Sequence, residues 1–239
     1  MATTRTRADG DFLCRPGRAI GVAVAMLVGV AFLTALVATN TAAPPLLFHA
    51  DRWWQGVMLP TPGWAVSASD VLKVLGAGWC MVSLRVGVAV WLLARKRYTA
   101  LAAWLLGWAL ADLVTFGLKP AIGRLRPDGS NFTSFPSGHA KTAAQVAVGM
   151  VLVLTSPRRS RTAAWTLAAA WIVAIAVSRT VLNEHYLSDV VAGTLLGAGS
   201  ALLAAAYVQR RLTLSGLRGT GPGARPPAPS RHRARARRP

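Results

Sequence analysis

The sequence predicts an all-α integral membrane protein, a bundle of six transmembrane helices with both termini in the cytoplasm. Of the 239 residues, 53% are hydrophobic and 15% are charged, whereas a soluble domain carries about 25% charged residues. Several runs rich in Ala, Val and Leu reach the ~20 residues needed to cross a bilayer. Six spans use about 120 residues, so a separate soluble catalytic domain does not fit and any active site has to lie at the span ends.

The spans follow one another along the chain. An apolar run at residues 19–39 follows four arginines and resembles a secretory signal, but it is longer than the usual 7–15-residue core, so we predict a retained helix. Residues 40–69 contain several prolines and three tryptophans, which predicts a non-spanning connection at the membrane interface. The other five spans are predicted at residues 71–93, 99–118, 140–155, 163–182 and 186–208.

Basic residues indicate the orientation of the bundle. They cluster before helix 1, between helices 2 and 3, between helices 4 and 5, and after helix 6. These groups are Arg5, Arg7, Arg15 and Arg18; Arg95, Lys96 and Arg97; Arg158, Arg159 and Arg161; and Arg210 and Arg211. The positive-inside rule therefore predicts cytoplasmic termini, with the connections after helices 1, 3 and 5 outside.

Three regions are predicted from this arrangement. Residues 1–18 form a basic cytoplasmic segment, residues 19–211 the membrane domain, and residues 212–239 a disordered basic cytoplasmic tail. The tail has no aromatic side chain on which bases stack. We therefore expect it to bind anionic membrane lipid and not nucleic acid.

The connections predicted to lie outside carry positive charge, which the positive-inside rule disfavours there. This charge predicts an anionic ligand. Lys119 and Arg126 follow helix 3 and can offer a point charge and a planar donor fork to phosphate oxygens. Ser137 and Gly138 open helix 4, where the free N–H groups of a helix start favour an anion. Arg179, at the end of helix 5, adds a third cation.

Two histidines complete a site for phosphoryl transfer. His185 and Asp189 are spaced i, i+4, so the carboxylate can hold one ring nitrogen and leave the other free to attack. His139 is suited to protonate a leaving oxygen as a general acid. This set predicts a phosphohistidine intermediate. Because no carboxylate cluster for Mg²⁺ accompanies it, we expect neither a metal nor another cofactor.

The chain carries three motifs between residues 119 and 189. They are Lys119-x6-Arg126-Pro127, Pro136-Ser137-Gly138-His139 and Ser178-Arg179-x5-His185-x3-Asp189. In this order they resemble the signature motifs of the type 2 phosphatidic acid phosphatase superfamily, which also includes vanadium haloperoxidases. The resemblance implies five phosphate ligands, with His139 as the acid, His185 as the nucleophile and Asp189 as its orienting partner. The implied ligands are Lys119, Arg126, Ser137, Gly138 and Arg179.

The resemblance and the predicted spans together imply a membrane lipid phosphatase with its active site on the extracytoplasmic side. The composition, rich in Ala, Arg and Gly, indicates a bacterium with GC-rich DNA, so the bacterial plasma membrane is the expected location. The expected substrates are phosphatidic acid, phosphatidylglycerol phosphate or a polyprenyl pyrophosphate such as undecaprenyl pyrophosphate. The expected partners are thus a lipid phosphate and membrane lipids. Neither the choice between monophosphate and pyrophosphate nor the oligomeric state follows from the sequence.

Two other functions remain open at this stage. A vanadate-dependent haloperoxidase would use the same pocket, although six spans disfavour it because the oxidases of this superfamily are soluble. A transporter would use Arg85 and Asp112, which lie inside apolar helices. We favour a structural ion pair for these two residues, since an unpaired charge in the bilayer is costly.

A few more residues have structural interpretations. Arg124 is expected to face solvent or headgroups, and Glu184 is expected to be exposed. Lys141 lies two residues beyond His139, an offset that turns it away from the site on a helix. Gly193 and Gly197 form a Gly-x-x-x-Gly pair that favours close helix contact. Cys14 and Cys80 lie in unrelated surroundings, so no disulfide between them is predicted.

Overall fold

A computed structural model describes residues 13, 15–39, 45–155 and 161–218. These residues form eight helices, and no strand occurs in this part of the chain. The helices are α1 (Pro16–Ala38), α2 (Pro45–Met58), α3 (Gly63–Leu75), α4 (Gly78–Ala94), α5 (Tyr98–Ile122), α6 (Gly138–Leu154), α7 (Thr162–Val181) and α8 (Leu187–Arg218). The all-α prediction is confirmed.

Four helices, α1, α5, α7 and α8, are long and apolar enough to cross a membrane. The pair formed by α3 and α4 adds a fifth candidate if its two halves, bent by 46°, make one span. Helix α6 is apolar but has only 17 residues. The described residues therefore contain four to five candidate spans, and the predicted number of six stays a prediction.

The prediction of one continuous helix at residues 71–93 is wrong, because the chain breaks between α3 and α4. Gly76 caps the end of α3, and Ala77 has an extended ψ of 150° that turns the chain into α4. A side chain at Gly76 would lie 3.2 Å from His139 Cδ2, so the glycine allows this break to pack against α6. The predicted connection at 40–69 contains α2 and the first half of α3.

Helix α8 lies at the centre of the bundle and packs against α1, α5 and α6. A Cβ at Gly193 would lie 2.5 Å from the Ser137 carbonyl oxygen, and one at Gly197 would overlap the Lys141 carbonyl oxygen. The predicted close contact of this glycine pair is thus confirmed. It brings the N-terminal ends of α6 and α8 together at one end of the bundle, where the Ser137 N–H donates to the Asp189 carbonyl oxygen at 3.0 Å.

The opposite end of the bundle carries most of the basic residues that set the predicted orientation. Gln209 near the end of α8 exchanges two hydrogen bonds with the backbone of Leu13, so α1 runs antiparallel to α8. Helices α4, α6 and α8 end there, and α1, α5 and α7 begin there. The described basic residues at this end are Arg15, Arg18, Arg95, Lys96, Arg97, Arg161, Arg210 and Arg211.

Both ends of the predicted domain layout extend beyond the described part of the chain. Helix α8 continues to Arg218, so the first residues of the predicted tail are helical. Residues 219–239, most of the segment 1–18 and the loop arginines Arg158 and Arg159 lie outside the described residues.

Candidate active site

Six chain segments meet at the end of the bundle where α6 and α8 begin. They are the last turn of α5, the loop at 123–137, the start of α6, the last turn of α7, the connection at 182–186 and the first turn of α8. These segments carry all eight residues that the sequence motifs nominate. The structure brings these residues together, and their individual roles in catalysis stay predictions.

The start of α6 presents unpaired donors to this region. Ser137 is the N-cap residue, yet its side chain makes no capping hydrogen bond, and its buried Oγ has no partner among the described residues. A Cβ at Gly138 would meet no atom within 4 Å, so the backbone here borders open space. The first N–H groups of a helix lack intrahelical acceptors, and together with Ser137 Oγ they can bind an anion.

Three cationic side chains surround the start of α6. Lys119 Nζ donates to the Thr133 carbonyl oxygen at 2.6 Å. Arg126 has a buried Nε with no hydrogen-bond partner in the described structure. Arg179 is completely buried; its Nη1 lies 3.0 Å from Glu184 Oε2, and its Nη2 donates to the Ser69 carbonyl oxygen. This fixed guanidinium retains further N–H donors for a ligand.

The two histidines occupy different surroundings. His185 is buried, and its Nδ1 lies 3.5 Å from Asp189 Oδ2, a distance longer than a good hydrogen bond. Its Nε2 is therefore the nitrogen available for attack. His139 lies one residue inside α6 and interacts electrostatically with Arg179, Glu184, His185 and Arg126. His185 therefore faces the Asp189 carboxylate, whereas His139 lies among groups of both charges.

Asp189 is held from three directions. Its Oδ2 accepts hydrogen bonds from Ser134 Oγ and from the Tyr186 N–H, the latter at 2.9 Å. Its Oδ1 accepts from Arg124 Nη1 at 2.6 Å. The carboxylate that faces His185 therefore has a fixed orientation.

The expectation that Arg124 faces solvent or headgroups is wrong. Its side chain is 13% exposed and binds both Asp189 and Asp51. Burial alone would lower the pKa of Arg124, but the two carboxylates outweigh it and raise the pKa above its usual value. The sequence feature that could have indicated a role for Arg124 in the site is its position inside the first motif, between Lys119 and Arg126. Its carboxylate partners come from distant parts of the chain.

The expectation that Glu184 is exposed is also wrong. Glu184 is 7% exposed and binds Arg179 through one oxygen and Lys73 through the other, the latter at 2.5 Å. Burial would raise the pKa of Glu184, but the hydrogen bond from Lys73 and the charge of Arg179 hold it below its usual value. Glu184 thus fixes the buried guanidinium that faces the site.

The predicted ion pair between Arg85 and Asp112 is confirmed, with Arg85 Nη1 3.0 Å from Asp112 Oδ2. Two further groups donate to this carboxylate: Trp108 Nε1 at 2.6 Å and Lys141 Nζ. Lys141 therefore binds Asp112; its helical offset from His139 predicted only that it turns away from the site. The network joins α4, α5 and α6 below the site.

No group of three or more His, Cys, Asp or Glu side chains in the described ranges is arranged to hold a metal ion. Independence of metal stays a prediction that a reaction in chelator would test. Cys80 is a free thiol, and Cys14 lies outside the described residues.

Comparison with known families agrees with the motifs. Residues 100–213 match the model of the PAP2 superfamily. A lipid A 1-phosphatase of Rhizobium johnstonii is 31% identical over 147 residues, which is 53% of this chain and 57% of that protein. A lipid A 1-phosphatase of Porphyromonas gingivalis is 39% identical over 94 residues, 38% of this chain and 20% of that protein. The chain thus spans about half of the first relative and a smaller part of the second.

Two solved structures share the fold. A transmembrane PAP2-type phosphatidylglycerolphosphate phosphatase from Bacillus subtilis superposes with a TM-score of 0.62 at 24% identity, covering 81% of this chain and 96% of that one. The Aquifex aeolicus LpxE structure gives a TM-score of 0.53 at 16% identity, covering 64% and 93%. At these identities the superpositions show a common fold. The resemblance predicted from the motifs is confirmed by the match of residues 100–213 to the PAP2 superfamily model.

Proposed function

We propose that this chain, whose residues 100–213 match the model of the PAP2 superfamily, is a membrane phosphatase that hydrolyses a lipid phosphate ester or pyrophosphate through a phosphohistidine. One observation carries the proposal: three cationic side chains and the start of α6 surround two histidines. Within this cluster Ser137 Oγ and Arg126 Nε are buried without partners among the described residues. Buried polar atoms are costly unless bonded, and a bound phosphate would supply the acceptors.

The first chemical step is transfer of the phosphoryl group to His185. Nε2 attacks phosphorus while the bond to the lipid oxygen breaks, and His139 donates a proton to that oxygen. Asp189 stabilises the positive charge that develops on the imidazole of His185, so the 3.5 Å contact is expected to shorten in this step. Lys119, Arg126 and Arg179 stabilise the equatorial oxygens.

The second step releases inorganic phosphate. His139, now neutral, accepts a proton from a water molecule that attacks the phosphorus. The bond from phosphorus to Nε2 breaks, and its electron pair returns to His185. Both histidines then hold the protons with which they began, and the net reaction consumes one water.

An apolar groove supports a lipid as the substrate. It has a volume of about 570 Å³ and is lined by residues of α3, α4, α6 and α7, from Leu75 to Leu154 and Ala164 toward the opposite end of the bundle. Leu75 is adjacent to Gly76, which lies against His139. A lipid tail in this groove would remain in an apolar phase while its phosphate reaches the cations.

The distribution of basic residues supports an outward-facing site in the plasma membrane. The end of the bundle opposite the site carries the Arg and Lys residues of the α4–α5 connection and of the termini of α1, α7 and α8. The positive-inside rule assigns that end to the cytoplasm. The site then faces the extracytoplasmic side, and the sixth span is α6.

The test measures phosphate released by the purified full-length chain in detergent with EDTA. The panel contains phosphatidic acid, phosphatidylglycerol phosphate, undecaprenyl pyrophosphate and lipid A 1-phosphate. We expect release from at least one of these lipids, an Arg126→Gln variant with at least about 100-fold lower activity, and an Arg52→Gln control at the wild-type rate. Arg52 is exposed on α2 beside Phe48. A strict requirement for divalent metal, or no release from any lipid, contradicts the proposal.

A further inference from the structure

Asp51 is a buried carboxylate outside the three motifs. It lies on α2, is 2% exposed, and accepts hydrogen bonds from the Ser188 N–H at 2.8 Å and from Ser188 Oγ at 2.7 Å. Its Oδ2 also accepts from Arg124 Nη2 at 2.7 Å. Every one of these donors belongs to the loop before α6 or to the first turn of α8.

Arg124 bridges Asp51 to the carboxylate that faces His185. One guanidinium nitrogen binds Asp51, and the other binds Asp189 Oδ1 at 2.6 Å and Ser188 Oγ at 2.7 Å. The guanidinium carbon lies 4.1 Å from the centre of the Tyr186 ring. A planar fork that binds two carboxylates and stacks on a ring has little freedom to rotate.

The bridge has two physical consequences for His185. By holding Asp189 Oδ1, it leaves Oδ2 directed at His185 Nδ1. It also places the positive charge of Arg124 beside Asp189. This charge weakens the electrostatic stabilisation that Asp189 gives to a protonated His185. Asp51 offsets that charge, so the chain of two carboxylates and one guanidinium keeps a net charge of −1.

We propose that Asp51 and Arg124 are positioning residues that orient Asp189 toward His185 and set the negative charge that His185 experiences. This proposal rests on the proposed function, because it matters for activity only if His185 reacts. It extends the working site beyond the motifs to α2, a helix that follows the first candidate span.

Because Asp51 and Arg124 carry opposite charges, removing them should shift the pH dependence of activity in opposite directions. Removing Asp51 takes away a negative charge and makes protonated His185 less stable, whereas removing Arg124 does the reverse. Ser134 and Tyr186 still hold Asp189 Oδ2 in either variant, so the charge effect persists. Besides Asp189, His139 of α6 and Asp128 interact electrostatically with His185. Arg126, Glu184 and Arg179 of α7 interact in turn with His139, and Lys119 of α5 interacts with Asp189.

The experiment records kcat/KM against pH for the full-length chain with the lipid that the wild type hydrolyses best. We expect Asp51→Asn to move the midpoint of the acidic limb to lower pH and Arg124→Gln to move it to higher pH, each by about 0.5 pH unit. Both variants should lose up to about 100-fold in kcat, as expected when a catalytic group is misplaced, with a smaller change in KM. Arg124→Lys, which keeps the charge but not the fork, should lose kcat with the midpoint unmoved.

The control is Arg52→Gln, next to Asp51 on the same helix, which should keep both the rate and the pH profile. Midpoints that do not move, or that move in the same direction in both variants, would overturn the proposal. If Arg124→Gln does not fold, the other two variants decide: Asp51→Asn must move the midpoint to lower pH, and Arg124→Lys must lose kcat with the midpoint unmoved. Wild-type protein that releases no phosphate contradicts the proposed function itself, whereas active variants with unchanged profiles contradict only the positioning role.

Discussion

His185 Nδ1 lies 3.5 Å from Asp189 Oδ2, and the carboxylate is fixed by three other donors while the imidazole is not. The Asp189 carboxylate is therefore the fixed partner, and the His185 ring must rotate toward it to form a hydrogen bond. An amide at this position would present a neutral group in place of the charge that stabilises the imidazolium. We predict that Asp189→Asn lowers kcat by about 10³- to 10⁴-fold, as loss of the corresponding charge does in other triads.

Steady-state phosphate release measures this effect, with a thermal unfolding curve to show that the variant is folded. A folded Asp189→Asn protein with a kcat within tenfold of the wild type would show that the carboxylate is not coupled to the reaction.

The contact of α6 with α8 depends on Gly197, because a Cβ there would overlap the Lys141 carbonyl oxygen. Backbone atoms cannot move aside cheaply, so Gly197→Ala should destabilise the fold by about 3 kcal/mol, the upper end for overpacking. The measurement is the thermal midpoint in detergent.

Gly117→Ala on α5 is the matched control, since a Cβ at Gly117 meets no atom within 4 Å. Alanine also favours a helix over glycine, so its midpoint should equal or exceed that of the wild type. Equal midpoints for the two variants would contradict the close packing of α6 on α8.

Glu184 links stability to pH. Since Lys73 and Arg179 hold the pKa of Glu184 below its usual value, the folded state binds its proton less readily than the unfolded chain does. The ionised Glu184 therefore stabilises the fold at pH values above its pKa in the unfolded chain, about 4.3. This stabilisation is lost as the pH falls through the lower pKa that Glu184 has in the folded protein.

We predict that the thermal midpoint of Glu184→Gln falls less than that of the wild type between pH 6 and pH 3. Melting curves of both proteins across this range test the prediction. Parallel declines would mean that Glu184 does not contribute to the acid sensitivity.

The ion network around Asp112 gives a further test. Asp112→Asn leaves Arg85 and Lys141 without their shared carboxylate, and uncompensated charge inside a bundle is costly. We expect a lower yield of folded protein and a lower thermal midpoint, partly recovered when Arg85→Met is added. Arg52→Gln, at an exposed position on α2, should match the wild type. A wild-type yield for Asp112→Asn would contradict a structural role.

The sequence was informative where function requires a fixed residue type at a fixed spacing. The motifs identified all eight residues that gather around the start of α6, and the spacing of Gly193 and Gly197 identified a close helix contact. Arg85 and Asp112 could be paired because each is costly inside an apolar helix without a partner.

Other features could not be predicted, because they depend on which distant segments meet. Arg124 and Asp51 are 73 positions apart, and nothing in either local sequence indicates that they share a hydrogen bond. The same reason applies to Lys73 of α3, which binds Glu184 from 111 positions away. The break at Gly76 was missed because the apolar run continues across it, so hydropathy alone indicates one helix.

The most direct test of the central claim is whether phosphate becomes attached to His185 during turnover. Wild-type protein and a His139→Ala variant are mixed with lipid carrying a ³²P-labelled phosphate, quenched in base and separated by electrophoresis. We predict a protein-bound label that is stable in base and labile in acid and that is absent in His185→Ala. In His139→Ala the label should form and decay more slowly, because both steps lose their proton-transfer group. Label that persists in His185→Ala, or turnover by that variant at the wild-type rate, would contradict the account.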